Sequence, residues 1–163
     1  MAVTFASRST GDVSVGMGQA TVIEAPGRLR AILGSCVAVA LHHPGLRVGG
    51  LAHVVLPKSN GQSGLPGKFA DTAVPHLVAL MKAAGAAPPR VVAKITGGAN
   101  MFGHTGPLQI GDKNVEAVLE ALASCGIRVV AKDVGGSSGR RVTFSPATGE
   151  LAVESVGQAP QVL

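Results

Sequence analysis

The stretch Leu33-Gly34-Ser35-Cys36-Val37-Ala38-Val39-Ala40-Leu41-His42-His43-Pro44-Gly45-Leu46-Arg47-Val48-Gly49-Gly50-Leu51-Ala52-His53-Val54-Val55-Leu56-Pro57 decides how the chain is read. Two short apolar runs, Val37 to His42 and Val48 to Leu56, flank His43-Pro44-Gly45-Leu46. Runs of this length bounded by Gly and Pro read as strands. A Pro-Gly pair suits the two central positions of a type II turn, because proline presets the first φ and glycine accepts the positive φ that follows. The runs therefore read as an antiparallel hairpin centred on Pro44-Gly45, in which the numbers of opposed residues sum to 89. Cys36 and His53 satisfy that sum. Directly opposed side chains share a face with Cβ atoms about 4.5–5.5 Å apart, close enough for a thiol and an imidazole to meet. A type II turn follows strand twist poorly, so a longer loop is the competing geometry.

Chemistry supports attention to this pair. Gly34 and Ser35 allow a sharp turn just before Cys36, as a nucleophile at a strand start requires. A thiol with pKa near ~8.5 becomes largely thiolate at neutral pH beside an imidazolium or guanidinium, and Arg28, Arg30 and His53 are the candidate sources of that charge. Alone, Cys36 reads as a small buried residue and His53 as a satisfied core histidine. Their predicted opposition in one hairpin favours a cysteine hydrolase with Cys36 as nucleophile and His53 as base.

Outward from the hairpin, Ala20 to Ile23 and Leu29 to Leu33 read as strands, and Ser59 to Lys68, rich in Gly and Pro, as an exposed loop. Asp71 precedes Val74, Leu77, Val78 and Met81, the spacing of an amphipathic helix that Gly85 ends. Arg90 to Thr96 reads as a buried strand and leads into Gly97-Gly98-Ala99-Asn100-Met101-Phe102, a loop with an apolar tip. Gly97, Gly98, Ala99 and Phe102 are candidates for shaping a pocket or docking a partner. A second helix opens near Asp112, carries Val115, Val118, Leu119 and Leu122 on one face, and stops at Gly126, with Cys125 as a packing residue in its last turn. Strands Ile127 to Ala131, Arg141 to Phe144 and Glu150 to Val156 follow. The class expected is α+β: a layered sandwich of mostly antiparallel, mixed β-sheet with flanking helices, formed by residues 1–163 as a single domain.

Composition bounds the function. The chain has 163 residues, enough for one sizeable core, with 46% hydrophobic and 14% charged residues. Net charge is +5; residues 1–100 hold nine basic and three acidic side chains, so the positive excess lies with the Cys36 half. Scattered basic residues, no Trp or Tyr and only four Phe leave few platforms for stacking bases, which argues against nucleic acid. Met1 to Thr10 lacks the features of an export signal, and the near-apolar stretch Ala31 to Leu41 is about half of the ~20 residues of a membrane span. Free thiols, a cytoplasmic location and no membrane insertion are expected. Five histidines show no H-x-x-x-H spacing and the cysteines no C-x-x-C, so neither a metal nor another cofactor is expected; the glycine pairs match neither G-x-G-x-x-G nor a Walker loop.

The segments 33–39 and 50–57, then Ala93-Lys94-Ile95-Thr96-Gly97-Gly98-Ala99-Asn100-Met101-Phe102, Ile110-Gly111-Asp112-Lys113-Asn114-Val115 and Asp133-Val134-Gly135-Gly136-Ser137-Ser138-Gly139-Arg140 resemble, in order, motifs of the chemoreceptor glutamine deamidase family, CheD. The recognisable core runs from about Gln19 to Val156. The resemblance implies hydrolysis of glutamine side-chain amides in methyl-accepting chemotaxis receptors to glutamate and ammonia, and some methyl-ester hydrolysis. It implies no cofactor, and a second partner, a CheC-type phosphatase that competes with receptor helices. It assigns the nucleophile to Cys36 and the base to His53. A family threonine six residues before the cysteine completes the triad, and Arg30 stands there in this chain. A guanidinium cannot accept a hydrogen bond from an imidazole N–H. The third role then falls to Thr21, Thr96 or a backbone carbonyl, with amides near Ser35 and Cys36 supporting the oxyanion. The rival reading is a protein that binds receptors or the phosphatase with little catalysis.

Overall fold

The computed structural model describes residues 11–101 and 109–163. They form three layers, two helices on one five-stranded sheet and that sheet on a second. The strands are β1 (Asp12–Ser14), β2 (Ala20–Glu24), β3 (Arg28–Leu33), β4 (Val37–His43), β5 (Val48–Val54), β6 (Val92–Gly97), β7 (Arg128–Val134), β8 (Arg140–Ser145), β9 (Glu150–Ser155) and β10 (Gln161–Val162). The helices are α1 (Ala70–Ala83) and α2 (Ile110–Ser124).

The central sheet has the order β2-β5-β4-β6-β7. Every residue of β4 and β5 is buried, because helices cover one face and the second sheet the other. This explains why both strands are continuous apolar runs without alternation. Only β6 and β7 pair in parallel here, and α2 supplies the long crossover that a parallel pair requires. The outer sheet, β1-β3-β8-β9-β10, has one face in solvent. Its strands alternate accordingly: Leu29, Ala31 and Leu33 point inward, while Arg28 and Ile32 are exposed.

Two cores result. Val74, Leu77 and Met81 of α1 and Val118 and Leu122 of α2 pack on Val39, Val54 and Ile95. Between the sheets lie Ile23, Leu29, Leu33, Leu51, Phe144 and Leu151, with Cys36 among them. Both helices end at glycines with positive φ, Gly85 and Gly126, as the sequence predicts. Strands β1 and β10 are additional to that reading; at three and two residues on sheet edges they are too short to carry a pattern.

The hairpin register is corrected. Its loop is the four residues Pro44–Arg47, closed by the pair His43–Val48, so opposed numbers sum to 91 and Ala38, not Cys36, faces His53. Arg47 takes the left-handed conformation at φ 54° and donates its N–H to the Pro44 carbonyl, while Leu46 N–H donates to His43 Nδ1 at 3.1 Å. The loop thus gains two internal hydrogen bonds and avoids the twist mismatch of a two-residue type II turn. A two-residue shift preserves side-chain parity, so Cys36 stays on the inner face that carries His53.

Candidate active site

Cys36 precedes β4 by one residue and His53 lies one residue before the end of β5; they are 7% and 3% exposed. The two are diagonal neighbours on the face between the sheets, where Cys36 packs with Ala38 and Leu51. Ala38, directly opposite His53, keeps that position small.

The segment between β1 and β2 holds His53. Its Nδ1 lies 3.0 Å from the Val15 carbonyl oxygen. Because a carbonyl only accepts, Nδ1 carries the proton and Nε2 presents a lone pair. Nε2 is buried and has no partner among the described residues. The His53 backbone is tied to the same segment, its N–H donating to Gln19 O at 3.0 Å and its carbonyl accepting from Gly18 N–H at 2.9 Å. Val15 is in turn held by β3, donating its N–H to the Arg30 carbonyl at 2.7 Å.

Electrostatics at the pair differ from the sequence expectation. Burial pushes the Cys36 thiol above its ordinary 9.0, and its own backbone amide offsets this only in part. Burial likewise holds His53 below its ordinary 6.5, against the opposing effect of the Val15 bond. Burial thus favours the neutral thiol and the neutral imidazole, because each charged form loses solvation. Arg28 and Arg30 do not supply the expected charge. Asp12 takes Arg28 in a bidentate pair (2.8 and 3.0 Å) and Arg30 at 3.4 Å on the outer face of the second sheet.

Neither threonine takes the Nδ1 proton of His53, which Val15 holds. Thr21 opposes Leu51 in β2, and Thr96 opposes Ala38 in β6, fully buried, its hydroxyl without a partner among the described residues. Gly97, Gly98 and Ala99 are buried rather than a protruding tip. Gly98 N–H donates to Cys36 O at 2.8 Å and Ala99 N–H to Gly34 O at 3.1 Å, so this loop is a platform beneath the Cys36 segment. Gly97 has φ 111°, and a Cβ there would overlap the Cys36 carbonyl. Met101 is 48% exposed; Phe102 lies outside the described residues.

Sequence reasoning left Val15 unnamed and missed Asn114. Backbone carbonyls have no sequence signature, so nothing pointed to Val15. Asn114, fully buried on α2, donates from Nδ2 to Ser35 O at 3.0 Å and to Val55 O at 2.9 Å. One signal was available: Asn114 sits four residues before Val118 and eight before Leu122, a polar residue on the helix's buried stripe. A cavity of about 610 Å³ reaches His53; Val15, Met17, Arg30, Ile32 and Arg141 line it. Met17 and Ile32 give it an exposed apolar rim.

A family model described as CheD chemotactic sensory transduction matches residues 55–155. A Thermotoga maritima protein named chemoreceptor glutamine deamidase CheD is 46% identical over 149 residues, covering 91% of this chain and 94% of that protein. Proteins named probable chemoreceptor glutamine deamidase CheD are 41% identical in Methanococcus vannielii (92% of this chain, 99% of that protein) and in Desulfitobacterium hafniense (93% and 98%). Among solved structures, YlmD from Geobacillus stearothermophilus shares the fold at TM-score 0.50 and 14% identity, over 81% of this chain and 63% of that one. The family model spans more than half of the chain and the relatives cover nine-tenths of it at over 40% identity, so the chain belongs to the CheD family.

Proposed function

We propose that this chain is a chemoreceptor glutamine deamidase, with Cys36 as nucleophile and His53 as general base, acting as a single domain. The observation that carries the reading is the bond from His53 Nδ1–H to Val15 O, which leaves the buried Nε2 lone pair on the face shared with Cys36. That carbonyl fills the orienting role that Arg30 cannot.

With both groups neutral at rest, activation accompanies attack. Nε2 takes the thiol proton as Sγ bonds to the glutamine carboxamide carbon, and the negative charge passes to the amide oxygen. The His53 imidazolium then donates its proton to the nitrogen, the C–N bond breaks and ammonia leaves. Water, losing a proton to the neutral His53, attacks the thioester and releases glutamate and the Cys36 thiol. Val15 O stabilises the transient imidazolium through Nδ1–H, the share of the work a third triad member performs.

The substrates are glutamines on the cytoplasmic helices of methyl-accepting receptors, and the apolar rim of Met17 and Ile32 suits the packed face of such a helix. A CheC-type phosphatase competing for the same rim is the second partner. Among the described residues no helix is long and apolar enough to cross a membrane; a cytoplasmic location is part of the proposal because the receptor glutamines lie there. Incubation with a glutamine-bearing receptor fragment should release ammonia and convert specific glutamines to glutamate by mass spectrometry. Full activity in Cys36→Ser would overturn the reading.

A further inference from the structure

We propose that Asn114 is a positioning residue that sets the approach of Cys36 to His53 by bridging the point where β4 and β5 part. The last ladder pair of the hairpin is Val37–Val54. One step further, the ladder would join Cys36 to Val55, and there the strands diverge. Val55 N–H turns to Lys68 O at 2.9 Å, and the Cys36 carbonyl turns to Gly98 N–H at 2.8 Å. The two remaining carbonyls at this fork, Ser35 O from one strand and Val55 O from the other, are both taken by the Nδ2 of Asn114. One planar NH₂ group therefore holds both branches at a fixed separation.

This matters because Cys36 and His53 are diagonal, not opposed. Diagonal neighbours lie about 7–8 Å apart at the backbone, so whether Sγ reaches Nε2 depends on the path of the chain just outside the ladder. That path is what Asn114 holds. The assignment of its amide follows from chemistry: with Oδ1 toward two carbonyls, three acceptors would face one another with no proton between them. The helix bearing Asn114 is itself seated on the Cys36 platform. A Cβ on Gly111 would overlap the carbonyls of Gly98 and Ala99, and Asp112 Oδ1 accepts from Asn100 Nδ2 at 3.1 Å.

The inference rests on the reading of Cys36 and His53 as the reacting pair, so its test is separated from substrate turnover. On a Cys125→Ser background, the rate at which iodoacetamide alkylates Cys36 is measured in wild type, Asn114→Ala, His53→Ala and the double variant. In wild type, losing His53 should slow alkylation. With Asn114 already replaced, losing His53 should change the rate less than about twofold, because the pair is already uncoupled. A His53 effect of the same size in both backgrounds overturns the proposal. In the deamidation assay, Asn114→Ala should lose about 100-fold in kcat with KM changed less than about threefold. A folded variant with the kcat of wild type also overturns it. Should Asn114→Ala fail to fold, Asn114→Leu, of similar size and without a donor, takes its place in both measurements with the same expected and overturning results.

Discussion

Two buried histidines, at opposite ends of the same intersheet layer, are tied down alike and differ in what surrounds them. His53 bonds the Val15 carbonyl through Nδ1 at 3.0 Å, and His42 bonds the Pro146 carbonyl through Nε2 at 2.8 Å. Both are more than nine-tenths buried, and burial lowers the proton affinity of both. Around His42 the space is filled. Phe144 meets its ring edge-on at 5.9 Å, and the turn at Gly149 packs so closely that a Cβ there would come within 2.6 Å of Nδ1. Around His53 the second nitrogen is left without a partner among the described residues, the residue lines a cavity, and a cysteine shares its face. A buried histidine tied to a carbonyl is therefore a packing solution in itself. On the proposed reading, a buried nitrogen without a partner, on a face shared with a cysteine and at the edge of a cavity, distinguishes a site from a strut.

The largest effect breaks this comparison directly. His53→Ala should lower kcat/KM for receptor glutamine deamidation by about 10³- to 10⁴-fold, the range for a general base that also positions a nucleophile. His42→Ala should leave kcat/KM within about twofold while costing about 1–3 kcal/mol of stability, through the lost bond to Pro146 and the cavity against Phe144. Steady-state assays paired with urea unfolding separate the two. Equal catalytic losses would mean that the distinction between strut and base is false.

The fold was legible where the residues report their own surroundings. The helix periodicities, their glycine stops and most strands could be read from the sequence because apolar spacing mirrors burial. Register was harder: with β4 and β5 buried on both faces, no alternation marks which residues oppose, and only the loop decides. Pairing of Cys36 with His53 nevertheless survived as a shared face, since the error was two residues and parity is all that the face depends on. Val15 was illegible for a different reason: it meets His53 through a backbone carbonyl, the one group every residue has. Asn114 left a mark, a polar residue on the buried stripe of α2, but the carbonyls it meets, Ser35 O and Val55 O, leave none.

A second, smaller effect sharpens the comparison through pH. Both folded histidines bind a proton less readily than in the unfolded chain, where the value is near 6.5. Below that value the unfolded state holds more protons, so stability is full above about pH 6.5 and declines as pH falls toward the folded values. Replacing His42 with Gln should remove part of this acid sensitivity, seen as a shallower fall in the urea midpoint between about pH 7 and pH 5, while the acid limb of kcat/KM stays in place. In the proposed mechanism that limb belongs to His53, which must be neutral to accept the thiol proton, and it should lie below pH 6.5. A limb that moved with His42→Gln would assign the catalytic titration to the wrong end of the layer.

The smallest effect is expected where the sequence departs most visibly from the family motif. Arg30 stands at the position of the family threonine, yet its contribution to His53 passes through its backbone: the Arg30 carbonyl holds Val15 N–H, and the Val15 carbonyl holds His53 Nδ1–H. Any residue that keeps β3 extended preserves that relay. The guanidinium, 42% exposed, gives up only a 3.4 Å contact with Asp12, which Arg28 also engages, and an exposed pair of this kind contributes about 0.2–1 kcal/mol. Arg30→Thr should therefore change kcat by less than about threefold, with KM moving more than kcat because Arg30 lines the cavity. A rise in kcat of tenfold or more would show that a side-chain hydroxyl at position 30 orients His53 better than the Val15 carbonyl does. The contrast between the two histidines would then turn on a side chain that this chain does not have.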